Sequence, residues 1–332
     1  MKKGSISYTI KPTRRKMILI TGAFGQLGRL LTDQLIQTDN QLLLVDRNIQ
    51  EKTKFSAPTI KVEEGDLTDV GFCSHLFQKY PIRAIFNFAT NSFVERDSQI
   101  NLNQRCNILD NIIHAVELHN QRDSVWILHP LSSEIFGIPD KDHQDEETER
   151  KPINTYGLQK SLEELKCNFL RGKGYKIYNP ILNNAESKFR SEKFFTKRII
   201  SNLKKIQKGD NLPCIEFYNA YSSRDFGYAK DYIENFINAL NKKKTGVELL
   251  GSGINMRIID FITEVLNTLN IKANRVQNAN GLYEFYINGD IILREKERDK
   301  TDERRVFKAN SKNKKAIRIR GGKELIKILV YE

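Results

Sequence analysis

The sequence predicts an α/β protein, a doubly wound parallel sheet followed by a smaller C-terminal lobe. Three observations predict it. Up to Leu182, short apolar runs alternate with segments of helical spacing, the rhythm of parallel strands covered by helices on both faces. The first run leads directly into a glycine turn that opens a helix, with Gly22, Gly25 and Gly28 in the spacing GxxGxxG. Beyond residue 182 the rhythm gives way to longer amphipathic segments and isolated short strands. The expected boundaries are a basic arm over 1–16, a sheet domain over 17–182 and a lobe over 183–332, with segments of the lobe returning to the sheet.

The elements follow in order. "MILIT" (17–21) is the first strand, and "QLGRLLTDQLI" is a helix that places Leu27, Leu30, Leu31 and Leu35 on one face. "QLLLVD" (41–46) and "IKVEEGDLTD" supply the second and third strands, and a helix runs through "GFCSHLFQKY". "AIFNFAT" (84–90) is a fourth strand, before a long helix in "LNQRCNILDNIIHAVELH". "SVWILHPL" reads as a fifth strand, the helix containing Tyr156 follows, and "YKIYNPIL" (175–182) closes the domain. In the second half, "FFTKRIISNLKKIQKG", "YAKDYIENFINALNKKK" and "MRIIDFITEVLNTLNI" have helical periodicity. "IEFYN" and "YEFYING" read as strands and "IILREKERD" as a mixed charged segment.

Composition excludes several classes. Hydrophobic residues make up 39% and charged residues 29% of 332, the balance of an ordinary globular protein. No apolar run approaches the roughly 18 residues of a membrane span. The basic "MKKGSISYTIKPTRRK" lacks the apolar block of a signal peptide, and a cytoplasmic location is expected. Cys73, Cys106, Cys167 and Cys214 form no CxxC pair, which argues against a zinc site or a disulfide framework. Residues 294–320 hold 12 lysines and arginines against 5 acids, over half of the net charge of +13. Those cations alternate with acids and lack interleaved aromatics, so a solvated surface is favoured over a nucleic-acid site. Attraction of an anionic substrate is a third reading.

The candidate sites lie at the ends of the expected strands. In "TGAFGQLG" one glycine permits the tight turn, another lets a diphosphate approach the backbone at the positive end of the helix, and the third allows helix and strand to pack closely. Gly22, Gly25, Gln26, Leu27 and Gly28 are therefore candidates to hold a nicotinamide dinucleotide. Asp46 ends the second strand, where a carboxylate bonds the ribose hydroxyls of NAD and repels the extra phosphate of NADP. Arg47 suits that phosphate, and it tilts the expectation to NADP, with NAD allowed by Asp46. Asp66 and Leu67 end the third strand and are candidates for the adenine, although Asp66 serves equally as a helix N-cap ahead of "LTDVGF".

Tyr156 and Lys160, at i and i+4, share a helix face. A tyrosine of ordinary pKa near 10 is only ~0.1% ionised at neutral pH, and a neighbouring ammonium favours the phenolate. A downward shift of about three units needs roughly 4 kcal/mol. Ser132, Ser133 and Glu134 stand at the carboxyl end of a strand, where parallel sheets bind their ligands. A polar turn or cap is the alternative, and it suits Ser133 best.

"TGAFGQLG", "GDLTD", "NFAT", "SSEIFG" and "YGLQK" together resemble the extended short-chain dehydrogenase/reductase family. "ILNNAESKFRSEKFFTKRI" and "SSRDFGYAKDYI" resemble, more specifically, its GDP-mannose 4,6-dehydratases. The resemblance runs from about residue 17 to about residue 270. It implies a Rossmann-like fold and a nucleotide-diphosphate sugar, GDP-mannose, as substrate. It makes Tyr156 the base for the sugar 4-hydroxyl and gives Lys160 the nicotinamide ribose and the lowering of the tyrosine pKa. It makes Ser132 a hydrogen-bond donor to the 4-oxygen and Glu134 the base for the carbon 5 proton, with water leaving from carbon 6. Ser92, Asn184, Arg198 and Arg224 would touch substrate, the last three at its diphosphate. Asp46, Phe93, Ala185 and Phe189 depart from the family's pattern. The loop between Arg47 and Asp66 is shorter than in tetrameric members, so a homodimer is expected. A related epimerase or reductase is the alternative enzyme, and a non-catalytic, cofactor-binding regulatory protein is the alternative outside enzymes.

Overall fold

The structure, a computed structural model, describes residues 16–49, 55, 57–90, 102–138, 140, 141, 143–297 and 317–332, but not the side chains of residues 102–106. Nearly all of the N-terminal arm, Ser92 and Phe93, and most of the basic segment 294–320 lie outside the described residues.

The chain divides into two compact units. The first holds residues up to Gly137, Arg150–Leu182 and Tyr232–Glu248. The second holds Ile138–Glu149, Asn183–Asp231 and the chain from Leu249 onward.

The first unit begins with β1 (Met17–Thr21), α1 (Gln26–Leu35), β2 (Leu42–Asp46), β3 (Ile60–Glu64), α2 (Val70–Lys79), β4 (Ile82–Asn87) and α3 (Leu102–Leu118). It continues through β5 (Trp126–Leu128), β6 (Leu131–Ser132), a 3₁₀ turn (Ser133–Phe136), α4 (Thr155–Gly172) and β7 (Lys176–Leu182). The second unit opens with β8 (Asn184–Glu186), α5 (Phe195–Gln207), β9 (Ile215–Tyr218) and β10 (Ser223–Tyr228). After α6 (Ala229–Asn241) and β11 (Gly246–Leu250) come β12 (Asn255–Arg257), α7 (Ile258–Thr268), β13 (Asn274–Gln277), β14 (Tyr283–Ile287), β15 (Asp290–Lys296) and α8 (Gly322–Tyr331).

Among the described residues, eight strands form one sheet in the order β11-β7-β5-β4-β1-β2-β3, with β6 also pairing β7. Strands β1 to β7 pair in parallel. Every residue of β1, and Leu42 to Val45 of β2, is buried, which is why these strands read as unbroken apolar runs rather than alternations. Each leucine taken fully out of water there stabilises the fold by about 1.5–3 kcal/mol. The strand order reverses between β1 and β4, so the carboxyl ends of these two strands flank the switch point where open sheets of this type bind ligands.

The run "SVWILHPL" is two strands rather than one. Pro130 has no N–H to donate, and the ladder breaks between β5 and β6. Both pieces still pair with β7, and His129 N donates to the Tyr178 carbonyl at 3.0 Å.

The sequence counted Ile138–Glu149 in the sheet domain, but these residues fold with the second unit. The segment is charged and has no apolar period to tie it to the sheet, and Glu146 Oε1 accepts from Leu249 N at 2.9 Å. Tyr232–Glu248 returns to the first unit. There Trp126 Nε1 donates to the Lys244 carbonyl at 2.7 Å, and the Tyr178 hydroxyl donates to the Glu248 carboxylate.

The second unit has its own core, in which α5, α7 and α8 bury Leu203, Phe261 and Ile326. β10 pairs with β8 in parallel and with β12 antiparallel. A second sheet runs β13-β14-β15-β9. β15 occupies most of the stretch read as a mixed charged segment. Leu293 is fully buried, while Arg294 meets Glu284 at 3.0 Å and Lys296 meets Glu216 at 3.2 Å, so its charges are paired across the sheet.

Candidate active site

The glycine turn is built by close approach. Gly22 lies at φ +60, and a Cβ there would stand 2.9 Å from the backbone of Phe88 and Ala89. At Gly28 a Cβ would stand 2.3 Å from the Gly22 carbonyl oxygen and 2.6 Å from Ala23 Cα, so only glycine lets α1 press against the turn. Gly25 differs in being exposed. It is the N-cap of α1, with no side-chain cap and no acid in the first turn. A helix N-terminus without an anionic cap is suited to an anion, so the turn fits a dinucleotide's diphosphate. Gln26 and Leu27, the first two helical residues, are half-buried.

Asp46 is half-buried at the end of β2 and braces this turn. Its Oδ2 accepts from Phe24 N at 3.0 Å, and its Oδ1 accepts from Arg47 N at 2.8 Å. Arg47 is exposed beside it. Asp66 is not the helix cap. Its Oδ1 accepts from Thr68 N at 2.9 Å, and Asp69 caps α2 through Gly71 N and Phe72 N. The cap falls three residues later because Asp69 directly precedes the first helical residue. Leu67 is buried, and its carbonyl accepts from Asn111 Nδ2 at 2.9 Å.

At the end of β6, Ser132 and Glu134 are half-exposed while Ser133 between them is buried. The cap of the 3₁₀ turn is therefore Ser132, whose Oγ accepts from Glu134 N at 3.3 Å, and not Ser133. Asn154 joins this strand end to α4. Its Nδ2 donates to Glu134 Oε2 at 2.7 Å, and its Oδ1 caps the helix by accepting from Gly157 N at 2.8 Å. A Cβ on Gly157 would stand 2.4 Å from the Glu134 carbonyl oxygen, so the first turn of α4 lies against the Glu134 backbone. Tyr156 is half-buried in that turn, with Lys160 Nζ 5.9 Å from its ring centre.

Beneath Tyr156 lies a buried polar chain that the sequence reading missed. The Thr21 hydroxyl donates to Asn87 Oδ1 at 2.7 Å, and Asn87 Nδ2 meets His129 Nδ1 at 2.9 Å. His129 Nε2 meets Glu163 Oε2 at 2.8 Å, and Lys160 Nζ donates to the same oxygen at 2.7 Å. Gln159 Nε2 donates to Glu163 Oε1 at 2.7 Å. Burial alone would raise the Glu163 carboxyl, but the Lys160 ammonium and His129 outweigh it and hold the group well below the usual carboxylate range. Burial pulls the Lys160 ammonium down, and Glu163 and Tyr156 reverse that to a net rise. Burial outweighs Glu163 at His129 and lowers it, so the imidazole is neutral. One sequence signal did point here: a lone histidine inside an apolar strand needs a partner.

In the second unit, Asn184 opens β8 and pairs in register with Phe226 of β10. Arg198 on α5 donates to the Glu216 carbonyl at 3.3 Å. Arg224 on β10 is half-buried and donates to its own Ser223 carbonyl at 2.8 Å. Beside it, fully buried Asp225 accepts from Ser252 N, Ser252 Oγ and Gly253 N, which fixes the loop after β11. Glu186 is buried, and that burial pushes its carboxyl up. It accepts from Thr196 Oγ1 at 2.6 Å.

Residues 19–318 match the profile of the family described as GDP-mannose 4,6 dehydratase. A GDP-mannose 4,6-dehydratase of Sordaria araneosa is 26% identical over 273 residues, 80% of this chain and 50% of that protein. A UDP-glucose 4-epimerase of Streptococcus mutans is 29% identical over 149 residues, 44% of this chain and 45% of that protein. The chain thus spans about half the length of these two curated relatives. Among solved structures, a dTDP-glucose 4,6-dehydratase from Streptomyces venezuelae with NAD and TYD bound superposes with a TM-score of 0.76 at 16% identity, covering 95% of this chain and 96% of that one. At that identity the likeness speaks for the fold.

Proposed function

The chain belongs to the GDP-mannose 4,6-dehydratase family, and we propose that it is a nucleotide-sugar 4,6-dehydratase acting on GDP-mannose. Its product would be the 4-keto-6-deoxy sugar nucleotide. The observation that carries this reading is the tie of Glu134 to the Tyr156 helix through Asn154. Chemistry at carbon 4 alone needs one proton-transferring group, which Tyr156 supplies with Lys160. Elimination across carbons 5 and 6 needs a second base, and Glu134 supplies it.

Ser132 donates to the sugar 4-oxygen, and Tyr156 takes the 4-hydroxyl proton. Lys160 favours the phenolate. With a keto group at carbon 4, the carbon 5 proton is acidic. Glu134 removes that proton and passes it to the 6-hydroxyl, which departs as water, and a proton exchangeable with solvent later returns to carbon 5. The nicotinamide, when bound, accepts and returns the reducing equivalents, so none are consumed. Gly22, Gly25, Gln26, Leu27 and Gly28 would hold its diphosphate, Asp66 and Leu67 its adenine, and Asp46 and Arg47 its ribose edge. We take the cofactor as NADP. Asp46 already accepts two backbone N–H bonds, and Arg47 is exposed next to it. Asn184, Arg198 and Arg224 are the proposed diphosphate contacts, where charge-assisted bonds are strongest.

A homodimer is the proposed assembly. Leu158, Leu162, Leu165 and Phe169 on α4 expose 36%, 40%, 64% and 66% of their surface at helical spacing, an apolar stripe that a second copy would cover. Light scattering of Phe169→Glu checks it, and an unaltered dimer would remove this face from the assembly.

The deciding experiment incubates the full chain with NADP or NAD and a panel of nucleotide sugars, followed by mass spectrometry. Loss of one water from GDP-mannose is expected. An isomerised sugar without mass change indicates the epimerase instead. Binding of cofactor without any turnover indicates the regulatory reading.

A further inference from the structure

The buried chain beneath Tyr156 has a centre. Glu163 accepts three side-chain donors, from Lys160 and His129 on Oε2 and from Gln159 on Oε1. Lys160 and Glu163 stand three apart on α4, and Tyr156 stands one turn before Lys160, so all three share a helix face. We propose that Glu163 is a positioning residue. It keeps Lys160 cationic and holds its ammonium under Tyr156, so that Tyr156 ionises readily enough to act as a base.

The argument is one of charge and solvation. The Lys160 side chain is 3% exposed. An ammonium so far from water gives up its proton unless an anion holds it, and lysines buried without a partner lose several pH units. A neutral Lys160 would do nothing to lower the cost of a phenolate at Tyr156. Glu163, at 2.7 Å, is that anion.

The rest of the chain keeps Glu163 available. Asn87 takes the Thr21 hydroxyl on its oxygen and so presents its amide to His129 Nδ1. That arrangement assigns the imidazole proton to Nε2, which donates to Glu163. His129 therefore serves as a neutral donor rather than a competing cation. Among the described residues, the neighbouring charged groups Lys166, Glu164 and Arg171 have partners of their own. Lys166 pairs with Asp110 of α3 at 2.5 Å, and Glu164 pairs with Arg150 at 2.7 Å. Arg171 donates to Asn179 of β7. Burial pushes the Cys167 thiol up to about 11, so it carries no charge. Among the described residues, Glu163 is the carboxylate paired with Lys160.

The inference rests on reading Tyr156 and Lys160 as the acid–base pair, and its test separates that pair from the overall reaction. Tyr156 is titrated by tyrosinate absorbance, as the difference between each protein and the same protein carrying Tyr156→Phe, with no cofactor or substrate. The series is the wild type, Glu163→Asp and Glu163→Gln. The midpoint should rise in that order, by one pH unit or more in Glu163→Gln, a tenfold loss of phenolate at a given pH. The aspartate variant should fall between, because its carboxylate is drawn back by one methylene. A purely structural glutamate would change the melting temperature without this ordering. A midpoint that stays put, or falls because Glu163 had been screening the ammonium, overturns the proposal. Should Glu163→Gln fail to fold, Glu163→Asp decides alone: a midpoint above wild type supports the proposal, and one equal or lower sinks it. A wild type that converts no nucleotide sugar while the order holds would sink the dehydratase reading and leave the role of Glu163 standing.

Discussion

Replacing Glu134 by glutamine separates the two halves of the proposed reaction. The substitution keeps the shape and one carbonyl oxygen. Asn154 Nδ2, now 2.7 Å from Glu134 Oε2, can donate to that oxygen, and Asn154 Oδ1 can still cap Gly157 N. The structural cost is the difference between a hydrogen bond to a charged acceptor and one to a neutral acceptor, about 1 kcal/mol. In a protein of this size that lowers the melting temperature by only a few degrees. The chemical cost is larger. A positioned base contributes roughly 10²–10⁴-fold, equivalent to about 2.7–5.4 kcal/mol of barrier. The first step does not use Glu134 and should survive.

The assay is rapid quench followed by mass spectrometry, with NADP and GDP-mannose present and the reaction run in deuterated water. The variant should build up a 4-keto sugar nucleotide that retains its 6-hydroxyl, at no more than one per active site. Solvent deuterium should be missing from carbon 5, and 6-deoxy product should form 10²–10⁴-fold more slowly. If folded Glu134→Gln eliminates water at the wild-type rate, Glu134 is not the base, and the main reason for choosing a dehydratase over an epimerase disappears.

Arg224→Ala should raise KM by about 10- to 150-fold with kcat little changed, the worth of one charge-assisted contact of about 1.5–3 kcal/mol; a collapse of kcat at constant KM would contradict its place at the diphosphate. Two glycines should part company. Gly28→Ala places a Cβ 2.3 Å from a backbone oxygen and should cost about 1–3 kcal/mol of stability, read by denaturant unfolding. Gly25→Ala meets only the Gly22 oxygen at 3.2 Å, so it should stay folded and lose cofactor affinity by calorimetry. His129 is held neutral, below its ordinary value of 6.5. The unfolded chain therefore binds the extra proton first, and this contribution to stability is complete above pH 6.5 and lost as the pH falls below it. The slope approaches about 1.4 kcal/mol per pH unit. Urea unfolding of His129→Gln between pH 7 and 5 should lack that slope, and an identical slope would place the titrating group elsewhere.

Much of the first unit was legible because its strands are buried on both faces. A strand such as β2 then has to be apolar throughout, and the helices between strands show a plain 3.6 period. The second unit was less legible. β8 and β12 are three residues long, β13 is exposed along its whole length, and β15 carries charges that only its neighbours pair. Short or two-sided polar strands have no period to read, and β8, β12 and β13 went unread; β10, β11 and α8, which bury apolar residues, went unread as well. The glycine spacing, the Tyr156–Lys160 pair and the hydroxyls and carboxylate at the end of β6 were visible as residue types at fixed intervals. Their bonding partners were not.

By itself, then, the sequence determined the class of fold, the place of the glycine turn and the presence of groups able to move protons near the ends of the strands. Those properties are local, since they follow from side-chain period and from residues within a turn of one another. Only the tertiary structure decided that Asn154 holds Glu134, that Asp69 rather than Asp66 caps α2, and that Lys160 answers to Glu163. The chain from Thr21 through Asn87 and His129 to Glu163 joins residues separated by 66, 42 and 34 positions. No periodicity links such residues. Packing β1, β4, β5 and α4 together buries their polar groups, and each buried group then has to find its partner among whatever the fold has brought near.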